Sequence, residues 1–570
     1  MKKVFAVLLA MTLILTLSAP AFAEGDEKNA VEAAIIVPGV VESVLMTDPE
    51  AGAAGWHFAS VTETLSAEMT NLFAGVIKAT FLSDYDTLTE AALRLEDAAI
   101  GNLEMNPDGT SAYELYTAVS GAEESSYAAM LKSGKWPNVW YGAQIVPDLA
   151  AEIGSENVFV FTYDWRLGSP TITEKFASFV DEVKALVGCD RVNVYCDSYG
   201  CQVVASYLYT YGGGDDIARI VFDSPAWTGT KLFPSLMADT KEDLHFNIVE
   251  GARVLLEFML VETDFSPLLR LLPDRVVQHV AFAMVKHAWE EYLHYAPGLW
   301  CCCAADDYEE MKAKLLDPNE NAALIAEVDK AQYGVMRHIP EVLAEAEEAG
   351  IKLSVIMNEG TILFAGDNIN GDGVVDAASG SGGECLPYGE TFADGRTGRH
   401  VSPANDYDLT NAYLPDNTWA FYGQTHGQSY WDEEAKALVM SLLLTDEIEN
   451  VNSDPRFPQF ADSHCPAYDV SLRLVDRGGS ELKLGEGEVQ AVIRNDSEKH
   501  RVKLTGVTLD GVAYTVSEVE GTLRPGETKA VTLTPDKGAA PGYGTVTISY
   551  TEMGLLSRSK TRVQYFKVSK

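Results

Sequence analysis

Four short apolar runs with helical patterns between them constrain this chain more than any other feature. They are Ala33-Ala34-Ile35-Ile36-Val37, Asn157 to Tyr163 (NVFVFTY), Arg191 to Cys196 (RVNVYC) and Ile217 to Phe222 (IARIVF). Between the second and third, Phe176, Phe179, Val180, Val183, Leu186 and Val187 recur at helical spacing within Thr171 to Val187. After the third, Tyr199 to Tyr211 is a second apolar helix pattern, stopped by Gly212-Gly213-Gly214. Strands joined in this way by helices form a parallel sheet covered on both faces, so the expected fold class is α/β. Further strands are expected at Lys352 to Met357 and Thr418 to Tyr422. The apolar helical stretch of about 231–350 therefore reads as a cap inserted into the sheet, and residues 52–155 hold further helical patterns.

The chain has 570 residues, 47% hydrophobic and 22% charged, a balance that fits folded domains with large cores. Its first residues, MKKVFAVLLAMTLILTLSAPAFA, read as a signal peptide over 1–23, cleaved after Ala23, which predicts a secreted protein. No second apolar run reaches the ~18 residues needed to span a bilayer, so stable membrane insertion is not expected. Net charge is −42, which repels nucleic acid and anionic membrane surfaces. The α/β domain is expected over 24–455. From about Cys465 short alternating runs are split by turns such as DRGGSE and LRPGET, which predicts a small immunoglobulin-like β-sandwich over 466–570. Such a module suits binding to a cell-surface partner.

Eight cysteines in an exported chain permit disulfides, and one or two bridges are expected to involve the run Cys301-Cys302-Cys303. That run lacks zinc-finger spacing, and neither a metal nor a cofactor is expected.

The third strand runs straight into Cys196-Asp197-Ser198-Tyr199-Gly200, with a helix directly behind. A serine on a tight strand-to-helix turn is how a hydrolase exposes a nucleophile, and the positions two before and two after it must be small. Gly200 meets this, and Cys196 stands where a first glycine is usual. The plain alternative is a serine that starts a helix. Other features follow in chain order. Ile35 to Ser43 (IIVPGVVES) closes the first strand, Tyr163-Asp164-Trp165-Arg166 the second, and Asp223 to Gly229 (DSPAWTG) the fourth. Downstream lie a loop rich in Asp, Asn and Gly, Gly366 to Gly380, and then His426 after the last strand.

Together these stretches resemble the lecithin:cholesterol acyltransferase and lysosomal phospholipase A2 family of α/β-hydrolases, a likeness covering roughly residues 33–445. The resemblance implies Ser198 as nucleophile, Asp372 as acid and His426 as base, with an oxyanion hole from the backbone N–H groups of Val40 and Tyr199. It also implies a serine-dependent hydrolase or O-acyltransferase acting on lipid esters. Cys196-Asp197 replaces the family's Gly-His, and Val40-Val41-Glu42 lacks a glycine before Ser43. His400 is the rival base, but only His426 follows a strand; Asp367 and Asp376 are the rival acids. Asp164 is either ion-paired in a structural corner with Arg166 or in contact with substrate.

Two other readings stand beside this one: a serine peptidase using the same triad, against which the apolar cap and the family resemblance argue, and an exported protein with a calcium-stabilised loop. A calcium loop would use Asn368, Asn370, Asp372, Asp376 and Ser379, though the first ligand is Asn and the final bidentate carboxylate is missing. The chain would then be a non-catalytic exported surface or binding protein.

Overall fold

The computed structural model describes residues 33–48, 58–136, 139, 145–236, 273–361, 369–463 and most of 470–569, apart from isolated positions such as 388–389, 428, 431 and 455. The expected signal peptide, Asp367, Asn368 and Cys465 lie outside the described residues.

Among the described residues seven strands form one sheet: β1 Ala34–Val37, β2 Val158–Val160, β3 Val192–Asp197, β4 Ile217–Asp223, β5 Lys352–Glu359, β6 Thr418–Tyr422 and β7 Phe460–Asp462, in the order β7-β6-β5-β4-β3-β1-β2. Every neighbouring pair is parallel, as in Ile36 opposite Tyr195 and Tyr195 opposite Val221. Period-two alternation splits each strand between two cores. Ile35 and Val37 of β1 pack in one core with α1 (Ser169–Val187) and α2 (Tyr199–Tyr211), while Ala34 and Ile36 pack in another with α3 (Glu433–Leu444). Covering on both faces explains why these strands read as continuous apolar runs. α1 stops at Gly188, which adopts φ 77°, and α3 starts on Asp432, whose carboxylate accepts from the N–H groups of Glu434 and Ala435.

Between β4 and β5 the described chain is helical, including Asp274–Ala288, Pro297–Cys301, Tyr308–Leu315, Ala322–Asp329 and Ile339–Glu348. Among the described residues no helix is long and apolar enough to cross a membrane.

The C-terminal part forms two further sheets. One is antiparallel, in the order Val470–Leu474, Val489–Asn495, Thr528–Pro535, Tyr514–Val516. The other runs Glu481–Lys483, Arg558–Ser569, Gly542–Met553, Arg501–Asp510, Gly521–Leu523, antiparallel except for its first pair. Leu472, Ile493 and Leu533 of the first share a core with Leu504, Ile548 and Tyr550 of the second, so the sheets pack face to face.

The expected disulfides do not form: Cys189, Cys196, Cys201, Cys301, Cys302, Cys303 and Cys385 are all free. The triple run is buried in the helical segment, where each thiol acts as a small apolar side chain and burial pushes its pKa up.

Candidate active site

Ser198 lies between β3 and α2 at φ 52° and ψ −119°, a conformation that costs an L-residue about 1–3 kcal/mol. It is held there by its own N–H, which donates to Asp223 O at 2.9 Å, and by its carbonyl, which accepts from Cys201 N at 3.1 Å. The turn is tight because it packs on the loop after β1. A Cβ on Gly200 would stand 2.3 Å from Val37 O, and one on Gly39 would stand 2.8 Å from Ser198 Cβ. Cys196, two residues before Ser198, is fully buried and fits.

The Gly39 loop is fixed from two sides. Tyr163 donates its hydroxyl to Pro38 O, and Ser43 Oγ accepts from Tyr163 N at 3.3 Å. Within the loop, Gly39 N donates to the Glu42 carboxylate at 2.5 Å and Val41 adopts φ 59°. Val40 is half-buried in this turn. Tyr199 opens α2, so its N–H is one of those that a helix start leaves without an intrahelical acceptor.

Asp372 and His426 meet. His426 Nδ1 lies 2.7 Å from Asp372 Oδ2, and His426 N donates to Asp372 O at 2.9 Å. Asp372 is fully buried, and its Oδ1 accepts from Val374 N at 2.8 Å and Val375 N at 2.7 Å. Burial works against charge on His426, but Asp372, followed by Glu42 and Asp223, outweighs it and raises the imidazole pKa.

The described rivals, His400 and Asp376, are engaged elsewhere. His400 Nδ1 is 2.8 Å from Gln459 Oε1, and its Nε2 accepts from Arg399 at 2.8 Å. Asp376 Oδ2 accepts from Lys231 N at 3.0 Å, and Asn370 Oδ1 from Gly360 N at 2.8 Å. Ser379 is bonded to Gly229 O and Thr228. The described side chains of the calcium alternative, those of Asn370, Asp372, Asp376 and Ser379, are thus directed to separate partners, and among the described residues no cluster of His, Cys, Asp and Glu suits a metal. Asp164 forms a bidentate pair with Arg166, at 2.9 and 2.7 Å, in the corner after β2.

Behind the site lies a buried polar network with no counterpart in the sequence analysis. Asp223, at the end of β4, accepts from Tyr195, Ser224 and Ser429; Asn358 of β5 donates to Ser224 Oγ, and Gln424 to Asn358 and Ser429. Burial raises the Asp223 pKa to about 6 against these hydrogen bonds. Only the polarity of strand ends hinted at it.

The chain is an α/β protein with a strained serine and an imidazole–carboxylate pair at the C-terminal end of a parallel sheet. No family model matches it, and neither does any curated protein. Among solved structures it is similar to the Tle4–Tli4 complex (TM-score 0.33, 11% identity, 73% of this chain and 99% of that one). It is also similar to the propeptide form of Bacillus licheniformis lipase BlEst2 (0.24, 10%, 74% and 91%). A third is proline iminopeptidase of Mycobacterium smegmatis (0.21, 16%, 53% and 84%). The chain spans about half the length of two chaperones it also matches, YadV and SfaE, covering 52% and 56% of them. Overlaps this weak carry no argument about activity, and the functional reading rests on the site.

Proposed function

We propose that the chain is a serine-dependent acyl hydrolase or O-acyltransferase of α/β-hydrolase type, acting on lipid or other acyl esters. Its helical insertion after β4 is a cap over the site, and its C-terminal sheets are an immunoglobulin-like sandwich. The supporting observation is the strained Ser198 turn, packed on the Gly39 loop at the same C-terminal end of the sheet as the 2.7 Å His426–Asp372 pair.

In this reading His426 Nδ1–H donates to Asp372, which leaves Nε2 as the basic nitrogen. Nε2 takes the Ser198 proton as Oγ attacks the ester carbonyl, and the N–H groups of Val40 and Tyr199 receive the oxyanion. The leaving alcohol takes the proton from His426, and the acyl-enzyme passes its acyl group to water or to a second alcohol. Ser198 is expected to react with a fluorophosphonate probe, and Ser198→Ala to abolish both labelling and cleavage of 4-nitrophenyl butyrate. A chain that neither labels nor cleaves is the non-catalytic binding protein instead.

The raised His426 pKa sets the pH response. The base is the neutral imidazole, so a raised pKa keeps the inactive cation to higher pH. The acid limb of kcat/KM is therefore expected above the ordinary 6.5, and it should move down in Asp372→Asn. A pH–rate profile between about pH 5 and 9 measures it; a wild-type limb at or below an ordinary imidazole value contradicts the geometry.

A further inference from the structure

Glu42 holds a position that no triad step uses. Its Oε2 accepts from Gly39 N and lies 3.2 Å from where a Gly39 Cβ would stand; Ser198 Oγ is 3.4 Å from that same point. Its Oε1 lies 3.9 Å from the corresponding point on Gly427, the residue after His426. The carboxylate thus reaches from the serine loop to the histidine loop. The turn that carries it back over Gly39 needs Val41 at φ 59°, a conformation that β-branched residues rarely adopt, and strain of this kind concentrates at functional sites.

Asp197 stands behind it. Its Oδ2 is also 3.9 Å from the Gly427 point, and the residue is 1% exposed. Neither of its carboxylate oxygens meets a hydrogen-bond partner among the described residues. A buried carboxyl without a partner is costly unless something completes it. Burial, and then the charges of Glu42 and Asp223, push its pKa well above the usual carboxylate range.

We propose that Glu42, backed by Asp197, selects a cation, and that the ester taken by Ser198 carries an ammonium group a few bonds from the scissile carbonyl. This rests on the hydrolase reading and narrows its substrate. With a neutral ester the Glu42 carboxylate opposes the oxyanion that develops beside it; an ammonium between the two offsets that repulsion. An arriving cation also brings a counter-charge to the buried Asp197 carboxyl. The chain's net charge of −42 gathers cations toward the site and disfavours anionic esters.

The ammonium can sit on the alcohol or on the acyl side, and paired substrates separate these. Butyrylcholine is compared with its neutral isostere 3,3-dimethylbutyl butyrate, and alanine benzyl ester with benzyl propionate. In at least one pair kcat/KM is expected to favour the cationic member about tenfold or more at low salt, equivalent to about 1.4 kcal/mol. The preference should shrink as ionic strength rises and should collapse toward parity in Glu42→Gln, whose folding is checked by a thermal melt. Asp197→Asn should lower it less, and serves together with the salt series if the first variant does not fold. Cleavage of the neutral members with a wild-type ratio near one overturns the proposal. So does a Glu42→Gln variant that slows both members of each pair equally, which makes Glu42 only the cap of its turn. No cleavage of either member, with Ser198 unlabelled, overturns the hydrolase reading itself.

Discussion

Asn in place of Asp372 is expected to lower kcat on 4-nitrophenyl butyrate by about 10⁴-fold, with KM changed little. Asp372 spends its two oxygens on different tasks. Oδ1 accepts two backbone N–H groups, from Val374 and Val375, and Oδ2 accepts from His426 Nδ1. An amide carries only one accepting oxygen. If it keeps that oxygen toward the backbone, its NH₂ faces His426 and drives the proton to Nε2, where a base must have none. If it turns the oxygen to His426, the NH₂ meets two N–H donors in a fully buried place, which costs stability as well. Steady-state kinetics with a thermal melt separates the two. A loss under tenfold in a folded variant would remove Asp372 from the reaction.

What the sequence made legible follows the distance over which each feature is determined. The strands Ala34–Val37, Val192–Asp197 and Ile217–Asp223 lie close to where their apolar runs placed them, because burial on both faces writes itself into consecutive residues. Ser198 stood out for the same reason: strand, turn and helix are local, and Gly200 is small because Val37 O leaves it no room. The pairing of His426 with Asp372 needed chain order as well, and chain order alone left His400 and Asp376 in play. Features that depend on distant partners were not legible. The Tyr163 hydroxyl reaches Pro38 O across 125 positions, and the network of Asp223, Ser429, Asn358 and Gln424 joins the ends of three strands. The Cys301–Cys303 run misled for a related reason. A cysteine count records redox chemistry and packing alike, and here the side chains only fill space in a helical segment.

The corner after β2 offers the second large effect, this time on stability. Arg166 is fully buried, and its guanidinium donates through Nε and Nη2 to the two oxygens of Asp164 and through Nη1 to Leu103 O at 3.3 Å. Asp164→Ala leaves that cation in the interior with one carbonyl for company, and losing one partner of a buried pair costs about 3–5 kcal/mol. The variant is expected to unfold at markedly lower urea, followed by fluorescence of the buried Trp165 and its neighbours. Removing the cation as well, in Asp164→Ala with Arg166→Met, should recover much of the loss, because the penalty comes from the stranded charge rather than from the missing bond. The same pair of variants tests whether Asp164 also touches substrate. A structural corner predicts that activity per folded molecule is kept in the double variant, whereas a substrate contact predicts that kcat/KM stays low there even as stability returns.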